Sequence, residues 1–343
     1  MIMEFDLNQK AMDTSLREFA AKLQELSARI GFKVSARGWC YQMEQERLIN
    51  KDQFDKVAGW INKCRKLGIL PIDFTAEEEG RQFSGVEIPD DDTPVRYMAR
   101  YVRAAIEAED YYTPNWWDGE QYYIQMLVEK IDLKTLFSPV CEKYHIPIAT
   151  SKGWSSMLQR ATYAKRFQEA KDKGLQPVLL YCGDFDPDGL RISEFIRSNL
   201  DDLKDVTWED GTEGYDPADL EIVRFGLNRD FIEKHKLTWI NNLITGSKLN
   251  LADPSHKNHK MPYVQEYIRT VGVRKCEANA IVPMQKIARE LVESSIIEFL
   301  GDEAEDRFAQ KREEVKEELD AFRKKTGLDV SLKAALKLIE KEK

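Results

Sequence analysis

Four short apolar runs dominate the second half of this chain: YIQMLVE from Tyr123, IPIAT from Ile146, PVLLYCG from Pro177 and LEIVRFG from Leu220. Each has the length of a strand and is apolar on consecutive positions, as a strand covered on both faces must be. The stretches between them are rich in Lys, Glu, Arg and Ala and read as helices. Strand and helix therefore alternate, which predicts an α/β fold with a mainly parallel sheet. In such sheets ligands gather outside the carboxyl ends of the strands, so the residues that close each run are the first place to look for chemistry.

The first half reads differently. Leu16, Phe19, Ala20, Leu23, Leu26 and Ile30 recur at spacings of three and four, which predicts an amphipathic helix. Between Val34 and Ile72, positions such as Trp39, Phe54, Val57, Trp60, Ile61 and Leu67 predict two or three short helices closed by a turn over Gly68 to Pro71. That pattern suits a helix-turn-helix or winged-helix unit and equally a small helical bundle. The segment Glu79 to Pro94, with DDD and two prolines, reads as a linker. A helix follows over Val95 to Glu109, and then an aromatic stretch in which Trp116 and Trp117 are expected to pack rather than stack on bases. From Asp302 onward the chain is highly charged, with Phe308, Val315, Leu319 and Phe322 at helical spacing. The expected organisation is a helical, winged-helix-like domain over 1–90, a helical connector over 91–122, the α/β domain over 123–300 and a charged helical segment over 301–343.

Net charge is -9, which argues against a surface of uniformly positive potential. The balance is uneven: Lys33 to Lys66 holds eight Lys/Arg against four Asp/Glu, and Ser151 to Lys173 six against two, a surplus of four each time. Lys152, beside Gly153, and the helix bearing Arg160, Lys165 and Arg166 are the candidate phosphate contacts. No stretch approaches the roughly 18 apolar residues of a membrane span, and the start MIMEFDLNQK lacks a signal-peptide pattern, so a cytoplasmic protein with no membrane partner is expected. The five cysteines are scattered and predicted to be buried, reduced thiols. His256 and His259, in HKNH, are expected as surface residues without a ligand role.

Glu129 closes the first apolar run, while Asp184 and Asp186 stand just past the third, in GDFDPDG. If the two strands lie side by side and parallel, all three carboxylates converge on one edge of the sheet. Residues two apart in extended chain point the same way, so Asp184 and Asp186 can serve one ion together. Three oxygen donors without His or Cys suit a hard cation such as Mg²⁺, which keeps waters and bridges to phosphate oxygens. Taken alone, Asp-Pro-Asp-Gly is also ordinary turn chemistry.

The combination resembles the toprim domain, and more closely the superfamily of the topoisomerase VI A subunit and the meiotic double-strand-break transesterase. VEK at Val128 to Lys130, SKGW at Ser151 to Trp154 and DFDPDG carry the resemblance, which spans roughly residues 30–300. Asp188 departs from it, standing where that family has Tyr, and is taken as a further metal ligand or a helix cap. The family places a winged-helix domain before the toprim domain, with a nucleophilic Tyr four residues after an Arg. Arg37 and Tyr41 have that spacing, although Gly38 and Cys40 replace the family's usual acid and aromatic.

The resemblance implies Mg²⁺-dependent cleavage of double-stranded DNA by a homodimer. Tyr41 of one subunit would meet the metal site of the other and form a 5′-phosphotyrosyl link. With no P-loop in the sequence, ATP-driven strand passage would need a separate ATPase subunit. Two other readings stay open. One is a hydrolytic toprim nuclease, similar to that of Wadjet-type plasmid defence, with water as nucleophile and Glu129 assisting. The other is a non-catalytic DNA-binding subunit. Glu277, in CEANAIVP, resembles a C-terminal feature of toprim relatives and has no assigned role.

Overall fold

The computed structural model of the protein describes residues 13–71, 74–76, 89–151, 157–205, 214–244 and 249–341. The chain begins with helices α1 (Asp13–Ile30), α2 (Ala36–Gln45) and α3 (Phe54–Lys66), followed by α4 (Pro94–Ile106) and a single turn, α5 (Ala108–Tyr111). Strand β1 (Tyr122–Val128), α6 (Ile131–Lys143), β2 (Ile148–Thr150), α7 (Met157–Asp172), β3 (Gln176–Cys182), α8 (Ile192–Asp201) and β4 (Glu221–Gly226) then alternate. Helices α9 (Arg229–His235), α10 (Pro262–Thr270), α11 (Gln285–Leu300), α12 (Ala304–Thr326) and α13 (Leu328–Lys341) complete the order.

The four strands form one all-parallel sheet in the order β2-β1-β3-β4. Six consecutive residues are buried in each of β1 and β3, the signature of a strand with both faces covered. Register aligns Val128 of β1 with Cys182 of β3, so the two central strands end side by side. The chain leaves β1 for β2 on one flank and crosses back to β3 on the other. The β1/β3 junction is therefore the topological switch point, where helices on opposite faces diverge and leave a crevice.

Two compact units divide the chain, one made of 1–79 with 121–299 and the other of 80–120 with 300–343. The connector and the charged C-terminal segment thus belong to one unit, rather than standing as separate consecutive segments. In the first unit, the face of α1 carrying Leu16, Phe19, Ala20, Leu23, Leu26 and Ile30 is buried. α1 and α2 both pack on α3. Ser35 caps α2 by accepting from the Gly38 N–H at 3.0 Å. All five cysteines are buried free thiols.

In the second unit, Thr93 caps α4 ahead of Pro94, and α13 packs along α4. Trp116 packs on Phe308 with centroids 4.6 Å apart, as packing rather than base stacking requires. Arg307 forms a two-pronged pair with Glu120, at 3.0 and 2.6 Å, and Arg323 bonds Glu109 at 2.7 Å. These pairs explain why α12, almost uniformly charged, forms part of a packed unit. No helix among the described residues is long and apolar enough to cross a membrane.

Candidate functional site

At the switch point the backbone ladder runs on past the strand ends, with Glu129 N–H donating to Cys182 O at 3.0 Å. Glu129 and Asp184 are thereby held as neighbours across the β1/β3 seam. Glu129 Oε2 accepts the Asp184 N–H at 2.7 Å. Asp184 Oδ1 accepts the Ala278 N–H at 2.7 Å, and Asp186 Oδ1 accepts the Gly189 N–H at 2.6 Å. Asp184 and Asp186 are both 7% exposed. A Cβ at Gly183 would run into the Tyr181 hydroxyl and stand 2.8 Å from Glu129 Oε2, and one at Gly189 would run into the backbone Asp184 O, so glycine fits both positions. Asp188 turns aside, accepting from the Tyr263 hydroxyl at 3.1 Å.

Burial disfavours the ionised form of Glu129 and Asp186. Burial raises the Asp186 carboxyl to about 6, and the neighbouring charges of Asp184 and Glu129 push the same way against the Gly189 N–H. Glu129 is raised by burial and then by the charge of Asp184, more than Lys130 offsets. Lys130 pairs with two of them, its ammonium 2.9 Å from Glu129 Oε1 and 3.0 Å from Asp184 Oδ2. Among the described residues, no group of three or more His, Cys, Asp or Glu side chains is placed to hold a metal ion. The donor set nevertheless fits a hard divalent ion: it is all oxygen, crowded with negative charge, and already holds a cation between two of its members.

Sequence reasoning gave no role to the residue that holds the Asp184 to Gly189 turn in place. Arg224, on β4, spreads its guanidinium over the carbonyls of Gly189, Gly183, Asp184 and Leu227 at 2.7 to 3.1 Å. Its signal was available, since an Arg inside the apolar run EIVRFG needs partners that a solvent-facing Arg does not.

A second cluster adjoins the first. The backbone of Cys276 pairs antiparallel with Phe185, at 2.8 and 3.1 Å, so the segment 276–281 lies along the acidic turn. Helix α2 also contacts that segment. Tyr41, 9% exposed, sets its ring edge-on to Phe54 and lines a small pocket with Glu44, Gln45, Thr238, Ile240, Glu277 and Ala280. Glu277 pairs with Lys51 at 2.8 Å and with Lys275 at 3.5 Å, and the Lys51 ammonium stands 5.7 Å from the Tyr41 ring centroid. Arg37 points to Asp55 at 3.5 Å and lies over the Phe54 ring. Its charge still reaches Glu277 and Lys51.

Gly38 is explained by Asp132, the acid that opens α6. A Cβ at Gly38 would stand 2.6 to 2.8 Å from the Asp132 carboxylate. That buried carboxylate also accepts from the Ser35 N–H, the Ser35 hydroxyl and the Asn279 amide, at 2.6, 3.0 and 2.9 Å. One acid therefore fastens the helix of Arg37 and Tyr41 to the segment that bonds Asp184.

No protein-family model matches this chain, and no curated protein is significantly similar to it.

The expected phosphate contacts do not form one stripe. Lys152 lies outside the described residues, as do Gly153 and Trp154. Arg160 bonds Asn199 at 2.8 Å across to α8. At 100° per residue Lys165 is rotated roughly 140° from Arg160, while Arg166 is exposed. His256 is not a surface residue: it is buried and accepts the Asn258 N–H, while His259 bonds Leu251 O and Gln265. Both rings organise their own turn.

Proposed function

We propose that this chain is a Mg²⁺-dependent DNA-cleaving enzyme of the topoisomerase VI A type, with a toprim-like carboxylate site and a winged-helix-like N-terminal part. The observation that carries the reading is the pairing of Glu129 with Asp184 across the β1/β3 seam, with Asp186 near enough to feel the charge of both. Tyr41 lines a pocket with Glu277 and Ala280, and Ala278, between those two in the chain, donates its N–H to Asp184. Glu129, Asp184 and Asp186 would hold Mg²⁺, with Asp188 at the rim, and the ion would offset charge developing on a phosphodiester.

The rest belongs to the chain's own residues. The Tyr41 phenol gives up its proton to solvent and its oxygen attacks phosphorus. The bond from phosphorus to the 3′-oxygen breaks as the 5′-phosphotyrosyl bond forms, and the 3′-oxygen takes a proton from solvent and leaves as a hydroxyl. Arg37 and Lys51 supply positive charge on the same side of the chain as Tyr41. Keeping the phosphate bonded to protein preserves the energy for resealing. The resemblance adds a homodimer on double-stranded DNA, with Tyr41 of one copy facing the carboxylates of the other, and a separate ATPase subunit if strands are passed.

Hydrolysis by water is the second reading, and one observation favours it: the side chain of Tyr41 is nearly buried. Incubation of supercoiled plasmid with Mg²⁺, quenched in SDS, separates the two. The transesterase reading expects protein-linked 5′ ends that disappear in both Tyr41→Phe and Asp184→Ala. Undiminished cutting by Tyr41→Phe, with none by Asp184→Ala, would establish hydrolysis. Plasmid binding that survives EDTA, without cutting under any metal, would identify a DNA-binding subunit.

A further inference from the structure

Each of the two central acids has one oxygen committed to the backbone. Glu129 Oε2 is held by the Asp184 N–H and Asp184 Oδ1 by the Ala278 N–H, both at 2.7 Å. The oxygens left over, Glu129 Oε1 and Asp184 Oδ2, are the two that bind the Lys130 ammonium, at 2.9 and 3.0 Å. We propose that Lys130 is a built-in counter-ion that occupies the divalent-cation position between Glu129 and Asp184 and must leave it for a metal ion to bind. The inference rests on the reading of these carboxylates as a metal site and adds what controls its occupancy.

The competition follows from geometry. Metal–oxygen bonds to Mg²⁺ are about 2.0–2.1 Å long, so an ion bonded to both free oxygens stands where the ammonium now stands. Two cations sharing those oxygens at that separation repel strongly in a half-buried site. The side chains are only 27% and 10% exposed for Glu129 and Asp184, so solvent screens little of that repulsion. Lys130 has somewhere to go: its side chain is 31% exposed, and four methylenes let the head group swing outward without moving α6. Displaced there, the ammonium would stand at the rim of the carboxylate site, ready to meet an anionic phosphate. Without metal it holds together acids that would otherwise repel one another.

The inference is tested by titrating Mn²⁺ into the full chain by calorimetry, for the wild type, Lys130→Met, Lys130→Gln, Lys51→Met and Asp184→Asn. Thermal unfolding is followed in EDTA and in Mn²⁺ alongside. Removing the competing ammonium should tighten Mn²⁺ binding by about tenfold or more in Lys130→Met and in Lys130→Gln. Both should melt below the wild type in EDTA and recover most of the difference in Mn²⁺. Lys51→Met, which removes a nearby charge that does not touch these oxygens, should change the affinity by less than about twofold. Lys130→Gln decides alone if Lys130→Met does not fold.

Affinity unchanged or weakened in both Lys130 variants, while Asp184→Asn abolishes binding, overturns the counter-ion role and leaves the metal site standing. An equal gain in Lys51→Met overturns it too, because general charge rather than occupancy would be the cause. No Mn²⁺ binding by the wild type or any variant overturns the metal site itself.

Discussion

The backbone N–H of Asp184 donates to Glu129 Oε2 at 2.7 Å, joining residues 55 apart in sequence across the seam between β1 and β3. This bond makes Glu129 a structural acceptor as well as a candidate ligand, and the two roles separate by substitution. Glu129→Gln keeps an oxygen for Asp184 N–H and removes charge from a crowded cluster, so stability in EDTA should hold or rise. Glu129→Ala leaves that N–H unpaired and should cost about 1–3 kcal/mol in urea unfolding. Both should abolish plasmid cleavage.

Arg224 acts on the same turn from the far side. Its planar fork reaches four carbonyls, which a single ammonium cannot reproduce. Arg224→Lys should therefore lower unfolding free energy by about 1–3 kcal/mol and weaken Mn²⁺ binding at least as much as Asp186→Asn does. Calorimetric titration beside a urea melt checks both, and wild-type Mn²⁺ affinity in Arg224→Lys would remove Arg224 from any role in shaping the site.

Much of this arrangement was legible in the chain. The period-free apolar runs ending at Glu129 and Gly183 read as strands covered on both faces, and their alternation with helices implied a mainly parallel sheet. What remained was their adjacency, and register supplied it by aligning Val128 with Cys182. The partners of the acids were not legible, because they come from far along the chain. Lys51 meets Glu277 across 226 residues, and Ala278 meets Asp184 across 94. No local periodicity encodes such pairs. Gly38 was visible as a departure from a familiar motif, yet its reason is a carboxylate in a different helix. The union of 80–120 with 300–343 was equally hidden, since it depends on pairs such as Arg323 with Glu109, 214 residues apart.

Gly38 and Asp132 form a pair whose coupling is measurable. A methyl group at position 38 meets the Asp132 carboxylate at 2.6 to 2.8 Å, so Gly38→Ala must push α2 outward or break the clamp on Ser35 and Asn279. The expected loss is about 1–3 kcal/mol. Asp132→Ala destabilises for another reason, leaving buried donors unsatisfied, but it opens the space the methyl needs. In that background Gly38→Ala should cost less than about 0.5 kcal/mol. Strict additivity in the double-mutant cycle would show that the close approach is not what keeps glycine there.

Lys51 sets a pH dependence whose sign can be worked out. Burial, and then the like charge of Lys275, lower its pKa to about 8, with Arg37 acting in the same direction and Glu44 and Asp184 opposing. Unfolded lysine titrates near about 10.4, so between those two values the unfolded chain holds a proton that the folded chain has released. Stability from this group must then rise with pH across that window, and the contribution is absent below about 8. The full shift corresponds to roughly 3 kcal/mol, which solvent around a side chain 32% exposed reduces to about 1–2 kcal/mol. The unfolding free energy of the wild type minus that of Lys51→Met should thus increase by this amount from pH 7.5 to 10.5 in urea titrations, measured at constant ionic strength. A difference that is flat or falls over the same range would mean that Glu277, facing both Lys51 and Lys275, holds the ammonium charged despite its burial. Lys51 would then be a fixed positive charge beside Tyr41 at every working pH, and cleavage above pH 8 should show no loss attributable to it.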